Sequence, residues 1–305
     1  MASSSPGPVF DLVLYVEEKK RLVDARLDRC LPSDQTTPGR LHQAMRYSVF
    51  AGGKRIRPIL ALASAEAVSC SLERVLPLAC ALELLHAYSL IHDDLPAMDD
   101  DDFRRGQPTC HKVYGEGIAI LAGNGLMARA FGLLAESEAS KSSPERVLEV
   151  IRRLSRAMGS EGGVIGGQAV DLATEGRPFS ADDLDYIHRS KTGALIRAAV
   201  TCPAVLCGVP DESLTALDHF GQRVGLAFQI VDDVLDVVGS REELGKTSGK
   251  DTADGKATYP ALYGVEESRR TAERLVEEAV DYLEPFGTRA EALIELARFI
   301  SIRRF

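Results

Sequence analysis

The chain has 305 residues, 45% of them hydrophobic, which is enough for a sizeable buried core. Its formal net charge of -9 argues against a broad nucleic-acid footprint, so any recognition of phosphate has to be local. The six cysteines form no CxxC pair and no regular spacing, which argues against a disulfide framework or zinc site and reads as free thiols in a reducing cytoplasm.

Residues 1–8 read as a short frayed start, without a basic segment followed by an apolar stretch. No uninterrupted apolar run reaches the roughly 18 residues that span a bilayer, so no transmembrane segment is expected. From Leu12, Val13, Tyr15 and Val16 onward, apolar residues recur at helical spacing, again over Leu41 to Phe50 and at Val147, Leu148, Ile151 and Leu154. The expectation is an all-α chain, a single helical bundle over 1–305. Punctuation separates the helices at Ser33 to Gly39, Ser140 to Pro144, Gly176 to Pro178, Gly208 to Pro210 and Gly239-Ser240. Ser143-Pro144-Glu145 and Ser180 to Asp183 each set a hydroxyl before early acidic residues, a helix-start pattern.

Basic groups come in small glycine-flanked sets: Gly52-Gly53-Lys54-Arg55-Ile56-Arg57, Lys191-Thr192-Gly193, and Gly245-Lys246-Thr247 with Lys250 and Lys256. None has the Walker spacing, and each alone is a weak signal. Between them stand two aspartate-rich clusters, each preceded by an apolar run. In the first, Asp93 and Asp99 are six residues apart, which a regular helix would send to different faces. Pro96 biases Leu95 away from helix and is expected to bend the chain so that Asp99 returns toward Asp93. Part of Asp99 to Asp102 reads as a solvated acidic loop, and Arg104 and Arg105 follow directly. In the second cluster, Gln229, Asp232 and Asp236 fall at i, i+3 and i+7 on one helical stripe, with Asp233 pointing elsewhere as a support behind the ligands. Carboxylates in such apolar settings need cations, and a hard divalent ion shared with a substrate phosphate supplies one. The clusters together point to a polyphosphate ligand. His86, taken alone, reads as a hydrogen-bonded core or surface histidine.

Nearly the whole chain resembles the trans-isoprenyl diphosphate synthases, the bacterial farnesyl diphosphate synthase type in particular. The resemblance is carried by Gly53 to Pro58, His86 to Asp99, Arg104-Arg105-Gly106, Lys191-Thr192, Phe228 to Asp233, and Lys246 to Pro260. It implies an all-α prenyltransferase fold, three Mg2+ ions with Mn2+ as a substitute, and a homodimer. It makes Asp93, Asp99 and Asp232 metal ligands, to which the helical stripe adds Asp236. Lys54, Arg57, His86 and Arg105 would bind isopentenyl diphosphate. Arg104, Lys191, Lys246 and Lys256 would grip the allylic diphosphate, with Thr192 and Gln229 beside the reacting carbons. The allylic C–O bond would ionise, isopentenyl C4 would attack the cation, and the released diphosphate would accept the proton, so no protein nucleophile is required. Where the family reads Ala-Gly-Asp-Ala, this chain has Ala122-Gly123-Asn124-Gly125, losing a carboxylate and gaining a helix-weakening glycine.

Tyr88 lies five residues before Asp93, about 7.5 Å along a regular helix, with Ser89 beside it. In the family pattern a bulky aromatic here closes the pocket after the C15 product, so farnesyl diphosphate is expected and geranylgeranyl diphosphate is the alternative. A class I terpene cyclase would carry an Asn/Ser/Glu metal motif where this chain has Asp232 to Asp236. A non-catalytic synthase subunit would be expected to have lost the clusters that are intact here, and Asn124 is the residue that keeps that alternative open.

Overall fold

The computed structural model describes residues 10–238 and 255–301, and among them the chain is almost entirely helical. Helix α1 spans Leu12–Cys30, α2 Gly39–Phe50, α3 Ile56–Ala67 and α4 Leu72–Asp93. A two-residue hairpin follows, β1 (Phe103–Arg104) antiparallel to β2 (Gln107–Pro108). Then come α5 (Cys110–Tyr114), α6 (Glu116–Ala135), α7 (Glu138–Ser142), α8 (Pro144–Met158), α9 (Val164–Thr174) and α10 (Ala181–Ile187). A π-helical turn, His188–Gly193, leads into α11 (Ala194–Cys207), and α12 runs from Asp211 to Val238. After the undescribed stretch, α13 (Tyr259–Tyr263), α14 (Val265–Asp281), a 3-10 turn at Glu284–Ala290 and α15 (Glu291–Ser301) complete the chain.

Local sequence explains the elements. In α8, Val147, Val150, Leu154, Ala157 and Met158 are buried at three- and four-residue steps, with Pro144 in the first turn, where its missing N–H costs nothing. Ser180 caps α10 in a complete capping box with Asp183, as its sequence signature predicts. Ser143 makes no cap bond; its hydroxyl accepts from Arg74 Nη2 at 2.8 Å and ties α8 to α4. Helix α4 carries the longest buried run, from Val75 to Leu85, because it packs on α3 on one side and α6 on the other. Helix α11 is wedged among α3, α8 and α12, and α12 is backed by α14. One continuous apolar cluster runs through these helices.

Helices α4 and α6 are both long and apolar enough to cross a membrane, a property that the buried core helix of a globular fold shares and that does not overturn the expectation of no transmembrane segment. Helix α4 buries most of that surface within the fold, whereas α6 leaves Ile120 and Leu121 exposed. One expectation needs correction: the six cysteines are not all free. Cys70 and Cys207 form a disulfide, with Cα atoms 6.1 Å apart, while Cys30, Cys80, Cys110 and Cys202 are free and buried. The end of α11 lands beside the turn before α4, a meeting across 137 residues that spacing could not reveal. Replacing both with serine is expected to lower the urea midpoint by the equivalent of about 2–4 kcal/mol, read by circular dichroism under non-reducing conditions.

Candidate active site

The end of α4 and the middle of α12 face each other across a cavity of about 230 Å³. Helix α4 stops at Asp93, three residues before Pro96, and the chain turns back on itself. The Asp99 N–H donates to the Asp93 carbonyl at 2.8 Å, and Met98 and Asp100 both donate to the Leu95 carbonyl. This return brings Asp93 and Asp99, six residues apart, into the same cavity wall. On the facing wall stand Gln229, Asp232 and Asp233, with Lys191 and His188 from the π-helical turn.

The π turn has a visible packing context. Gly167 of α9 presses against the Lys191 backbone so closely that an added Cβ would lie 2.3 Å from its nitrogen. Lys191 Nζ donates to Asp171 Oδ2 at 2.7 Å, and Asp171 is buried on α9 with no sequence signal beyond a lone acid in a glycine-rich helix. Burial works against the Lys191 charge, yet Asp171, Asp93 and Asp99 hold its pKa above the usual lysine value. Thr192 Oγ1 donates to Gln229 Oε1 at 2.5 Å, and Gln229 Nε2 donates to Asp233 Oδ1 at 2.8 Å. Asp233 also accepts from the Tyr259 N–H at 2.9 Å and pairs with His188 Nε2 at 2.7 Å. The aspartate expected to point away is therefore the anchor of this wall, standing four residues from Gln229 and so on its side of the helix. Asp236, expected on the same stripe, is buried and is not among the residues lining the cavity; it sits a further turn along α12 from Asp232.

The acids on the α4 side differ in charge environment. Burial, reinforced by Asp99 and Asp94 and only partly offset by Lys191 and Arg104, pushes Asp93 up to about 6. Asp99 is half-buried and meets a desolvation cost as well, but Lys191, Lys256 and Arg104 outweigh it and hold Asp99 below the usual carboxylate range. Lys256 Nζ donates to Asp99 Oδ1 at 3.1 Å. Asp94 serves another purpose: it is buried and accepts from Arg104 Nε at 2.7 Å, aiming the guanidinium along the cavity rim.

Arg104 and Leu90 also line a narrower recess, which contains His86, Arg105, Arg55 and Glu83. Arg105 Nη1 donates to the Gly52 carbonyl, and Gly53, at φ 124, leaves the room in which the guanidinium lies. Burial, followed by the charges of Arg57, Arg105 and Arg104, holds the His86 pKa well below its ordinary value, so the imidazole is neutral near pH 7. Arg57, His86 and Arg105 thus share one electropositive neighbourhood, while Lys54 is exposed on the adjoining turn and is not among the residues lining the recess. Lys246 lies outside the described residues. Ser89 donates to the His86 carbonyl at 3.0 Å. Tyr88 is buried outside the cavity lining, its ring 4.7 Å from that of His92 and against Gly123 of α6. Asn124 is exposed and is not among the residues lining the cavity. Gly125 faces Met45 Sδ, which an added Cβ would meet at 3.0 Å.

The donor set of the cavity suits Mg2+. Asp93, Asp99 and Asp232 offer only hard oxygen atoms, and Asp93 sits where positive charge is in short supply.

A model of the polyprenyl synthetase family matches residues 38–292. The chain is 49% identical over 296 residues to a dimethylallyltranstransferase of Fischerella ambigua (strain UTEX 1903), covering 96% of this chain and 84% of that protein. It is 46% identical over 293 residues to a geranylgeranyl diphosphate synthase of Cyanophora paradoxa, covering 95% and 96%. Among solved structures, a geranylgeranyl pyrophosphate synthetase from Pyrococcus horikoshii Ot3 superposes with a TM-score of 0.87 at 31% identity, covering 96% of this chain and 98% of the other.

Proposed function

The chain belongs to the polyprenyl synthetase family, a prenyltransferase family, and from that premise we propose that it condenses isopentenyl diphosphate head to tail with an allylic diphosphate, yielding geranylgeranyl diphosphate. The observation that carries the proposal is the convergence of Asp93, Asp99, Asp232, Lys191, Lys256 and Arg104 on one cavity, with the His86 and Arg105 recess sharing Arg104 beside it. Two anionic binding regions with a shared arginine fit two diphosphates, one leaving and one retained.

In this reading Lys191, Arg104 and Lys256 hold the allylic diphosphate, and their fixed charges stabilise the negative charge that develops as the C–O bond breaks. Arg57, Arg105 and the neutral His86 hold isopentenyl diphosphate, with Lys54 at the edge. Thr192 and Gln229, locked to each other and to Asp233, border the carbons that react. Mg2+ held by Asp93, Asp99 and Asp232 would supply Lewis-acid stabilisation of the departing diphosphate. A homodimer joined through the exposed apolar face of α6 belongs to the same reading, supported by Ile120 and Leu121 standing in solvent.

The C20 product is favoured over the expected C15 product by the names of the Cyanophora and Pyrococcus relatives. It is also supported by the position of Tyr88, whose ring packs against His92 and Gly123 and is not part of the cavity lining. Farnesyl diphosphate remains the second reading, because Tyr88 is the bulky aromatic five residues before Asp93. The deciding assay combines purified protein, Mg2+ and isopentenyl diphosphate with dimethylallyl, geranyl or farnesyl diphosphate in turn, and resolves products by length. Elongation of farnesyl diphosphate to C20 is expected; no elongation of any allylic substrate would refute the synthase reading, and hydrocarbon release would indicate a cyclase. Under the farnesyl diphosphate reading, Tyr88→Ala is expected to lengthen the product, since it removes the ring that fills the space between α4 and α6. An unchanged product distribution would remove Tyr88 from chain-length control.

A further inference from the structure

The return turn after α4 alternates in its exposure. Asp99 and Asp101 line the cavity, whereas Asp100 and Asp102 are exposed and are not among its lining residues. Asp100 sits at φ 48. One carboxylate oxygen from each of Asp100 and Asp102 and a ring nitrogen of His111 all lie within 4.8 Å of one another.

Aspartates on a turn are ordinary; the histidine is not. His111, in the first turn of α5, is only 6% exposed, and its Nε2 is buried with no hydrogen-bond partner among the described residues. Its protonation can be read from its neighbour. The Thr109 hydroxyl donates to the Asp101 carbonyl at 2.8 Å, so its single proton is committed there. At 3.1 Å from His111 Nδ1, the same oxygen can then only accept, which places the imidazole proton on Nδ1. Nε2 is then the ring nitrogen that carries the lone pair, buried and without a hydrogen-bond partner among the described residues. Lys112 reaches Asp102 Oδ1 at 2.6 Å and balances part of the charge, but it makes no bond to the imidazole.

A lone pair oriented by a hydrogen bond from the opposite ring nitrogen is the arrangement of a metal-bound histidine. One imidazole nitrogen with two carboxylates suits a divalent transition ion such as Mn2+ or Zn2+ better than Mg2+, which favours oxygen alone. We infer that Asp100, Asp102 and His111 form a divalent transition-metal site, separate from the cavity carboxylates, that fastens the return turn to the start of α5. The segment between its two anchor points is the β1–β2 hairpin carrying Arg104 and Arg105, so a bound ion would fix both guanidiniums from outside the cavity. The inference rests on this geometry and stands whether or not the product assignment holds.

The test uses the full chain without substrate, titrated with Mn2+ and examined by pulsed electron paramagnetic resonance for nitrogen coupling to the ion. The cavity wall also carries His188, so the coupling is assigned to His111 by its survival when the cavity carboxylates are removed and its loss when His111 is replaced. Coupling is expected in the wild type and in an Asp93→Asn/Asp99→Asn/Asp232→Asn background, and its loss is expected in His111→Gln. Asp100→Asn and Asp102→Asn, both on exposed side chains, are expected to weaken this Mn2+ binding by about tenfold or more. These two variants keep the test decisive even where a buried substitution fails to fold. Bound Mn2+ without nitrogen coupling, affinity unchanged in both exposed variants, or no binding below about 1 mM would each overturn the site.

Discussion

Asp93→Asn is expected to lower kcat by about a thousandfold and, in the same protein freed of metal, to raise the melting temperature. The first effect follows from the role proposed for Asp93 in holding cation charge against the departing diphosphate; one stabiliser of that kind is worth about 3–4 kcal/mol of barrier. The second follows from the resting environment. Burial and the Asp99 charge push the Asp93 carboxyl up to about 6 from its ordinary 3.8, so the folded protein holds its proton where the unfolded chain has released it. Between those two values the folded state binds more protons, and stability falls as pH rises, reaching its full loss above about 6. An amide of the same shape carries no such penalty. The melting difference between variant and wild type, measured with chelator present, should be small near pH 4 and largest above about 6, the upper value set by the Asp93 shift. A variant that keeps its activity would remove Asp93 from the metal set, and one that melts below wild type at pH 8 would contradict the charge balance drawn for the cavity. Stability lost to an active-site charge is a common cost of function.

How much of this was legible depended on the distance over which each contact forms. The return of Asp99 to Asp93 could be anticipated because Pro96 acts on its immediate neighbours, and the hydrogen bond from the Asp99 N–H to the Asp93 carbonyl is a local event. The Ser180 cap and the helical spacing of α8 are local in the same sense. Helical periodicity also put Gln229 and Asp232 on one wall with Asp233 as a support, but it could not show that Asp233 borders the cavity while Asp236 stands outside its lining, because a stripe drawn on a cylinder does not say where the facing partner ends. Asp233 is used because His188 and Tyr259 arrive from other elements. Asp171 was invisible for the same reason: a single acid on α9 gains meaning only when the π turn delivers Lys191 to it. The Cys70–Cys207 bridge is the extreme case, a contact between residues 137 positions apart.

Arg55 shows the converse, a residue whose sequence context suggested ligand binding and whose structural environment says otherwise. It stands in the glycine-flanked basic set with Lys54 and Arg57, yet it is 4% exposed and its guanidinium is fully engaged by the protein. Nε donates to Asp24 of α1 at 2.8 Å, Nη1 to Glu83 of α4 at 2.7 Å and to the Gly52 carbonyl, and Nη2 to the Val49 carbonyl at the end of α2. The backbone at φ 55 is an uncommon conformation for a residue with a Cβ, held here by contacts to three helices. Arg55→Met is expected to cost about 3–5 kcal/mol, because Glu83, at 3% exposure, is left as a buried charge without its partner. Lysine should not rescue it, since a single ammonium cannot reproduce the fork that meets Asp24, Glu83 and two carbonyls. Adding Glu83→Met to Arg55→Met should recover most of the loss, as it removes the stranded charge. Urea midpoints for the single and double variants decide the matter. A single variant as stable as wild type would mean that Glu83 protonates or finds water without cost, and Arg55 would return to the pool of groups free to meet a phosphate.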